Sequence, residues 1–277
     1  MKPALILLCV LILSPRLQAQ APSSASSQQN STAEDPVPIS GEPHHRLVLQ
    51  NDFIHVYNVM VPPLDATLLH QHDFPYIYVV LGPADIINAI VGKPELHQIL
   101  QDGETHFSPG HFAHIARTDS GVPFHNITIE LLHPQVAAKN LCKEVLTGQP
   151  LACPLQQAAA DAAKGNAKGK KPAPLEPTND NDNVPYFESD EVRVELFKAS
   201  SGRDYVDSAP RTHALLVALT DANLDVNLGG EHIQFLHGGD ALWLPAGQHR
   251  RIVDFLGTRS GFFLISFKDG AAAPATQ

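Results

Sequence analysis

Apolar residues recur at every second position over short runs, the spacing of half-buried strands rather than helices. Phe53 to Val61 and Val192 to Phe197 alternate and are rich in β-branched residues. Ile77 to Leu81 and Leu215 to Leu219 are short apolar runs, and His125 to Leu132 and Gly261 to Phe267 close each block. Gly-Pro, Asp-Gly and Gly-Gly pairs punctuate the runs as turns. The blocks also match each other. Asn51 to Tyr57 lies over Ser189 to Glu195, Tyr76 to Leu81 over His213 to Ala218, and His97 to Glu104 over Ile233 to Asp240. Gly103 and Pro109 keep the separation of Gly239 and Pro245. An offset held near ~137 residues across several segments is the mark of a duplication. Short strands, frequent turns and little helix predict an all-β chain of two antiparallel barrels or jelly rolls.

The remaining segments lack this pattern. Lys2, the apolar run Ala4 to Leu13 and the small residues near Ala19 read as a signal peptide over 1–19. Residues 20–43 are rich in Ser, Gln, Asn and Pro and read as a flexible leader. Barrel 1 is expected over 44–154 and barrel 2 over 184–268, with a linker at 155–183 and a tail at 269–277. The linker starts with an Ala-rich piece, Ala158 to Ala163, suited to a short helix, and continues through a Lys-rich and a Pro-rich stretch.

Composition narrows the partners. The 277 residues carry 29 acidic side chains against 19 Lys plus Arg, a formal charge of −10. Losing Lys2 and Arg16 with the signal peptide takes it to −12. Such a balance argues against nucleic acid. No apolar stretch long enough to span a bilayer lies beyond the N-terminus, so no membrane span is expected after cleavage. The chain reads as exported, periplasmic or secreted. Cys142 and Cys153 then remain as an even pair, suited to a disulfide; thiols binding a metal with His133 are the alternative. Asn126-Ile127-Thr128 and Asn30-Ser31-Thr32 fit the glycosylation pattern only weakly.

His70 and His72, two apart just before an apolar strand, face the same side, so their imidazoles converge. Gly103, Pro109 and His114 follow at regular spacing. Here the chain resembles the cupin superfamily. Its first motif, His-x-His with a following Glu and a later Gly, is matched by His70, His72 and Gly82, with Pro63 in place of the leading glycine. Its second, Gly, five residues, Pro-x-Gly-x-x-His, is matched by Gly103, Pro109 and His114. The resemblance implies two conical barrels, a bicupin, with a metal held by His70, His72 and His114. The family's Glu falls at Tyr76 or Ile77, and His111 stands in place of the second-motif glycine, so the motifs supply no carboxylate. Three imidazoles suit Mn, Zn, Cu, Fe or Ni. Tyr76 is in phase to bind substrate or water, His111 is the first choice for an auxiliary ligand or proton carrier, and His125 lines the same barrel. The other histidines, His44, His45, His55, His97 and His106 among them, carry no spacing that implies a site. In the second repeat Asp207 and Ala209 replace the paired histidines, His249 comes one residue early and Arg250 takes its place, so barrel 2 reads as degenerate. The expected function is a metal-dependent oxygenase or isomerase on a small organic molecule. A non-catalytic binder of a small molecule, sugar or metal is the alternative, and a homodimer is left open.

Overall fold

The protein is described from a computed structural model over residues 35–153, 183–199, 205–207, 211–225, 233–253 and 260–268. The expected signal peptide, residues 20–34 of the leader, the short helix expected at 158–163, all of the linker but Asn183, and the tail lie outside these residues. The first half holds β1 (Val37–Pro38), β2 (His45–Gln50), β3 (Ile54–Val61), β4 (His70–His72) and β5 (Tyr76–Val80). It continues with β6 (Ala84–Ile90), β7 (Leu96–Leu100), β8 (Thr105–Ser108), β9 (Phe112–Arg117) and β10 (Phe124–Leu131). The second half holds β11 (Lys139–Asn140), β12 (Val184–Glu188), β13 (Val192–Ala199), β14 (Tyr205–Asp207) and β15 (Ala214–Ala218). It ends with β16 (Ala222–Asp225), β17 (Ile233–Leu236), β18 (Ala241–Leu244), β19 (Arg250–Val253) and β20 (Ser260–Phe267). Apart from a 3-10 turn at Ile39–Gly41, the described residues contain no helix, and so among them no helix is long and apolar enough to cross a membrane.

The duplication is visible in the strand order. Barrel 1 pairs β2-β3-β10-β5-β8 in one sheet and β1-β4-β9-β6-β7 in the other. Barrel 2 repeats this as β12-β13-β20-β15-β18 and β14-β19-β16-β17, with β11 added at one edge. Alternation sorts the side chains. On β10, Ile127, Ile129 and Leu131 point out of barrel 1 while Asn126, Thr128 and Glu130 point in. The outward residues meet Phe187, Val194, Leu215, Phe263 and Ile265 of the second half in one shared apolar core. Two ring stacks bridge the halves, Phe53 on Trp243 and Phe107 on Phe187. From Asp35 onward the chain is one compact unit.

Two segments near the expected boundaries carry structure of their own. The leader does not extend to Pro43: Val37 and Pro38 pair with β4, and Ile39 and Glu42 are buried. The composition of 35–43 is polar, but one apolar and one acidic side chain find partners inside barrel 1. Residues 139–153 touch both halves: Lys139 and Asn140 pair with β12, and the Val145 carbonyl accepts from the Phe107 N–H of β8. Cys142 and Cys153 form a disulfide, closing a loop held from within by buried Asn140, which bonds the backbone of Val145, Leu146 and Gln149. His133 takes no part with these thiols; its Nδ1 lies 2.5 Å from Glu191.

Candidate metal centre

The histidines of β4 and β9 are brought together by register. His70 is the direct cross-strand partner of His114, and His70 and His72 share a face with Gln71 between them on the other. All three are buried. Ring centroids lie 4.4 Å apart for His70 and His114, 5.1 Å for His70 and His72, and 5.2 Å for His72 and His114. A fourth imidazole joins them. His45, the first residue of β2, comes from the other sheet to 4.6 Å from His70. Ligand nitrogens of His45, His70 and His72 lie within 4.8 Å of one another. Sequence spacing gave no hint of His45, since it precedes the paired histidines by a whole strand and turn.

The second nitrogens fix the tautomers. The Nδ1–H of His70 donates to the Leu68 carbonyl at 2.9 Å, that of His114 to Asn88 Oδ1 at 2.8 Å, and that of His45 to Glu42 at 2.5 Å. Because those partners only accept, the proton sits on Nδ1 and the Nε2 lone pair turns inward. His70 Nε2 and His114 Nε2 are both buried with no hydrogen-bond partner. Orphaned buried acceptors are costly unless something occupies the space they face; the ligand nitrogens within 4.8 Å of one another are those of His45, His70 and His72, and the His114 ring stands beside them, 4.4 Å from that of His70. The donor set, imidazoles of which His45, His70 and His114 each have an oxygen on the far nitrogen, fits a divalent transition metal.

The carboxylate missing from the motifs is present one layer out. Glu42 accepts from His44, His45 and the Leu68 N–H, and although burial pushes its pKa up, these bonds bring it down to about 2. Glu130, on β10, places Oε1 3.7 Å from His72 Nδ1, both atoms buried and unpaired, and burial raises its pKa. Neither was marked by the sequence: one lies in the polar leader, the other within an apolar-looking strand.

Burial, aided by the neighbouring His45, lowers His70 and His72 to about 3, and burial lowers His114 well below its ordinary value. These groups stay neutral when folded but take protons when unfolded. Their contribution is whole above about pH 6.5 and is lost as pH falls from 6.5 toward 3. In chelator, urea stability should therefore fall through that window by roughly 1.4 kcal/mol per pH unit for each neutral imidazole. A metal-free melt flat from pH 7 to 4 would contradict the buried neutral set.

Other expected residues are placed differently. Tyr76 lines the cavity, but its ring stacks on His72 at 4.1 Å, and burial raises its pKa to about 12. His111 is exposed, not in the cavity; its φ of 59° is the glycine-favoured region, which explains why the motif has glycine there, and its N–H donates to the His72 carbonyl at 2.7 Å. His125 also lies outside the cavity lining and pairs with Asn58. Asn126 is buried within barrel 1, which removes it as a glycosylation site.

The cavity beside the histidines measures about 40 Å³, room for about three waters. Barrel 2 has no counterpart among the described residues. Where barrel 1 has Asn126, Thr128 and Tyr78, the matching strand positions hold Phe262, Leu264 and Leu216, packed in an apolar interior with Phe197. His213 stacks on Trp243 and His249 is exposed; the Asp207 and Arg250 side chains and all of Ala209 lie outside what is described.

No protein-family model matches the chain, and no curated protein does. Solved structures do. A variant of salicylate 1,2-dioxygenase from Pseudoaminobacter salicylatoxidans in complex with gentisate aligns at a TM-score of 0.51 and 13% identity, covering 80% of this chain and 74% of that one. Another variant of that enzyme, also with gentisate, aligns at 0.50 and 13%, covering 78% and 69%. AerE from Microcystis aeruginosa aligns at 0.49 and 10%, covering 82% and 99%. With the strand order repeated in both halves and the motif histidines gathered in the first, the chain is a two-barrel cupin in fold.

Proposed function

We propose that barrel 1 holds one divalent transition metal through His45, His70, His72 and His114 and uses it on a small organic molecule, with oxygenase chemistry first and isomerase chemistry second. The observation carrying this reading is the cluster of His45, His70 and His72 ligand nitrogens within 4.8 Å of one another, beside the buried, unpaired Nε2 atoms of His70 and His114. Bound there, the ion supplies Lewis acidity toward an oxygen of the substrate. The chain's own residues orient and enclose: Tyr76 covers His72, Val59, Val61 and Phe124 keep water out, and Asn126 and Thr128 present polar atoms. The structural neighbours' complexes with gentisate support a small-molecule ligand. The disulfide supports an exported protein, and an oxidising compartment favours manganese, zinc or copper over ferrous iron.

One observation favours a binder without turnover. Apart from the histidines and the phenols of Tyr76 and Tyr78, none of the described residues lining the cavity is an acid or a base, and burial raises the Tyr76 pKa to about 12. Oxygen uptake by the metal-loaded protein across small phenols, diketones and thiols separates the two. Turnover above the free-metal rate, lost in the His70→Ala/His72→Ala variant, supports the oxygenase. Stoichiometric metal with neither oxygen uptake nor conversion of any of these compounds to an isomer supports the binder.

A further inference from the structure

The chamber next to the histidines has an unusual charge balance. Its walls are apolar (Val59, Val61, Ile86, Phe124) and its polar atoms come from neutral amides and hydroxyls, chiefly Gln98, Asn126 and Thr128. None of the described residues lining it is Lys or Arg. The nearest candidate on the strand that carries His114, Arg117, is spent outside: it forms two 2.8 Å bonds to Glu95 and a third contact to Asp119. At the histidine end the charged side chains are acidic. Glu42 and Glu130 are both buried, and each approaches an imidazole of the cluster.

Burying an anion requires a paired cation or several donors. Here a divalent ion would be the sole positive charge, and two carboxylates already stand one layer behind its ligands. An entering anion would find that charge offset, with no second cation to meet it. A neutral molecule loses little on entering, because amide and hydroxyl groups satisfy its polar end while the walls take its apolar end. The volume, about 40 Å³, adds that the part reaching the histidines is small, of a few heavy atoms.

Resting on the metal reading above, we propose that barrel 1 is selective for compact uncharged molecules, such as carbonyl, amide or hydroxyl compounds, and discriminates against carboxylates of the same shape. Acetamide against acetate, and benzamide against benzoate, isolate charge from shape. The cobalt(II)-loaded full chain is titrated with each and followed by visible absorption; the metal-free chain is followed by its melting temperature. The expected result is binding of at least one amide about tenfold or more tighter than its carboxylate, in both measurements where both respond. Gln98→Lys, on the edge strand β7, introduces a cation at the chamber and should narrow or reverse that preference. Equal or tighter binding of the carboxylates by the unaltered chain overturns the proposal, as does the absence of any amide binding. Failure to take up cobalt at all defeats the metal reading instead, and the metal-free melting series then decides the charge preference alone.

Discussion

His70→Ala is expected to reduce metal affinity by about a hundred- to a thousandfold. Zinc sites with a full set of ligands are worth about 10–16 kcal/mol, so one of four ligands carries roughly 2.5–4 kcal/mol, and each 1.4 kcal/mol is tenfold. His70 is the central ring, within 5.1 Å of His45, His72 and His114 by centroid distance. The metal-free variant should stay folded, because the one hydrogen bond it loses, from Nδ1–H to the Leu68 carbonyl, is worth about 1 kcal/mol and the lost Nε2 is unpaired. Competition against a chelator of known affinity reads the first effect and a chelator-treated melt the second. Retention of wild-type affinity would remove His70 from the site.

The second large effect belongs to a residue that touches no metal. Glu42→Gln should lower metal affinity about 10- to 100-fold, the usual result of disturbing the group that orients a ligating histidine. The amide keeps the shape but exchanges a carboxylate that accepts from His45 at 2.5 Å for a weaker, half-donating partner. Glu42→Leu goes further. It strands the His44 and Leu68 N–H groups as well as His45, and should cost on the order of 3–5 kcal/mol of stability. The two variants separate orientation from folding: the first changes affinity with little change in melting, the second changes both. Equal melting for Leu and Glu at 42 would contradict the buried bonding described for it.

These predictions involve residues of unequal visibility in the sequence. The strands of both barrels were legible because alternation is local, and the repeat fixed which strands correspond. His70, His72 and His114 were legible because two share a strand face and the third follows a turn motif of regular spacing. His45 was not. It reaches the cluster across the gap between two sheets, a contact made by barrel closure rather than spacing. Glu42 was hidden by its polar neighbours, which read as leader, and Glu130 by the apolar residues that alternate with it on β10. His111 shows the opposite failure. Its position beside His114 suggested chemistry, but its backbone conformation turns it outward to solvent. The second repeat lacks the paired histidines, which is visible in the sequence; that Phe197, Phe262 and Leu264 pack together in its described interior needed the strand pairing.

The central claim is that four imidazoles from two sheets of barrel 1 hold one metal ion. Crystals of the full chain loaded with cobalt, measured at the metal's absorption edge, test it directly. The account predicts one strong anomalous peak per chain, about 2.1 Å from the Nε2 atoms of the ligating histidines, with His45 among them and nothing comparable in barrel 2. A peak held by other residues, or none in a chain that is folded and soaked to saturation, would contradict it.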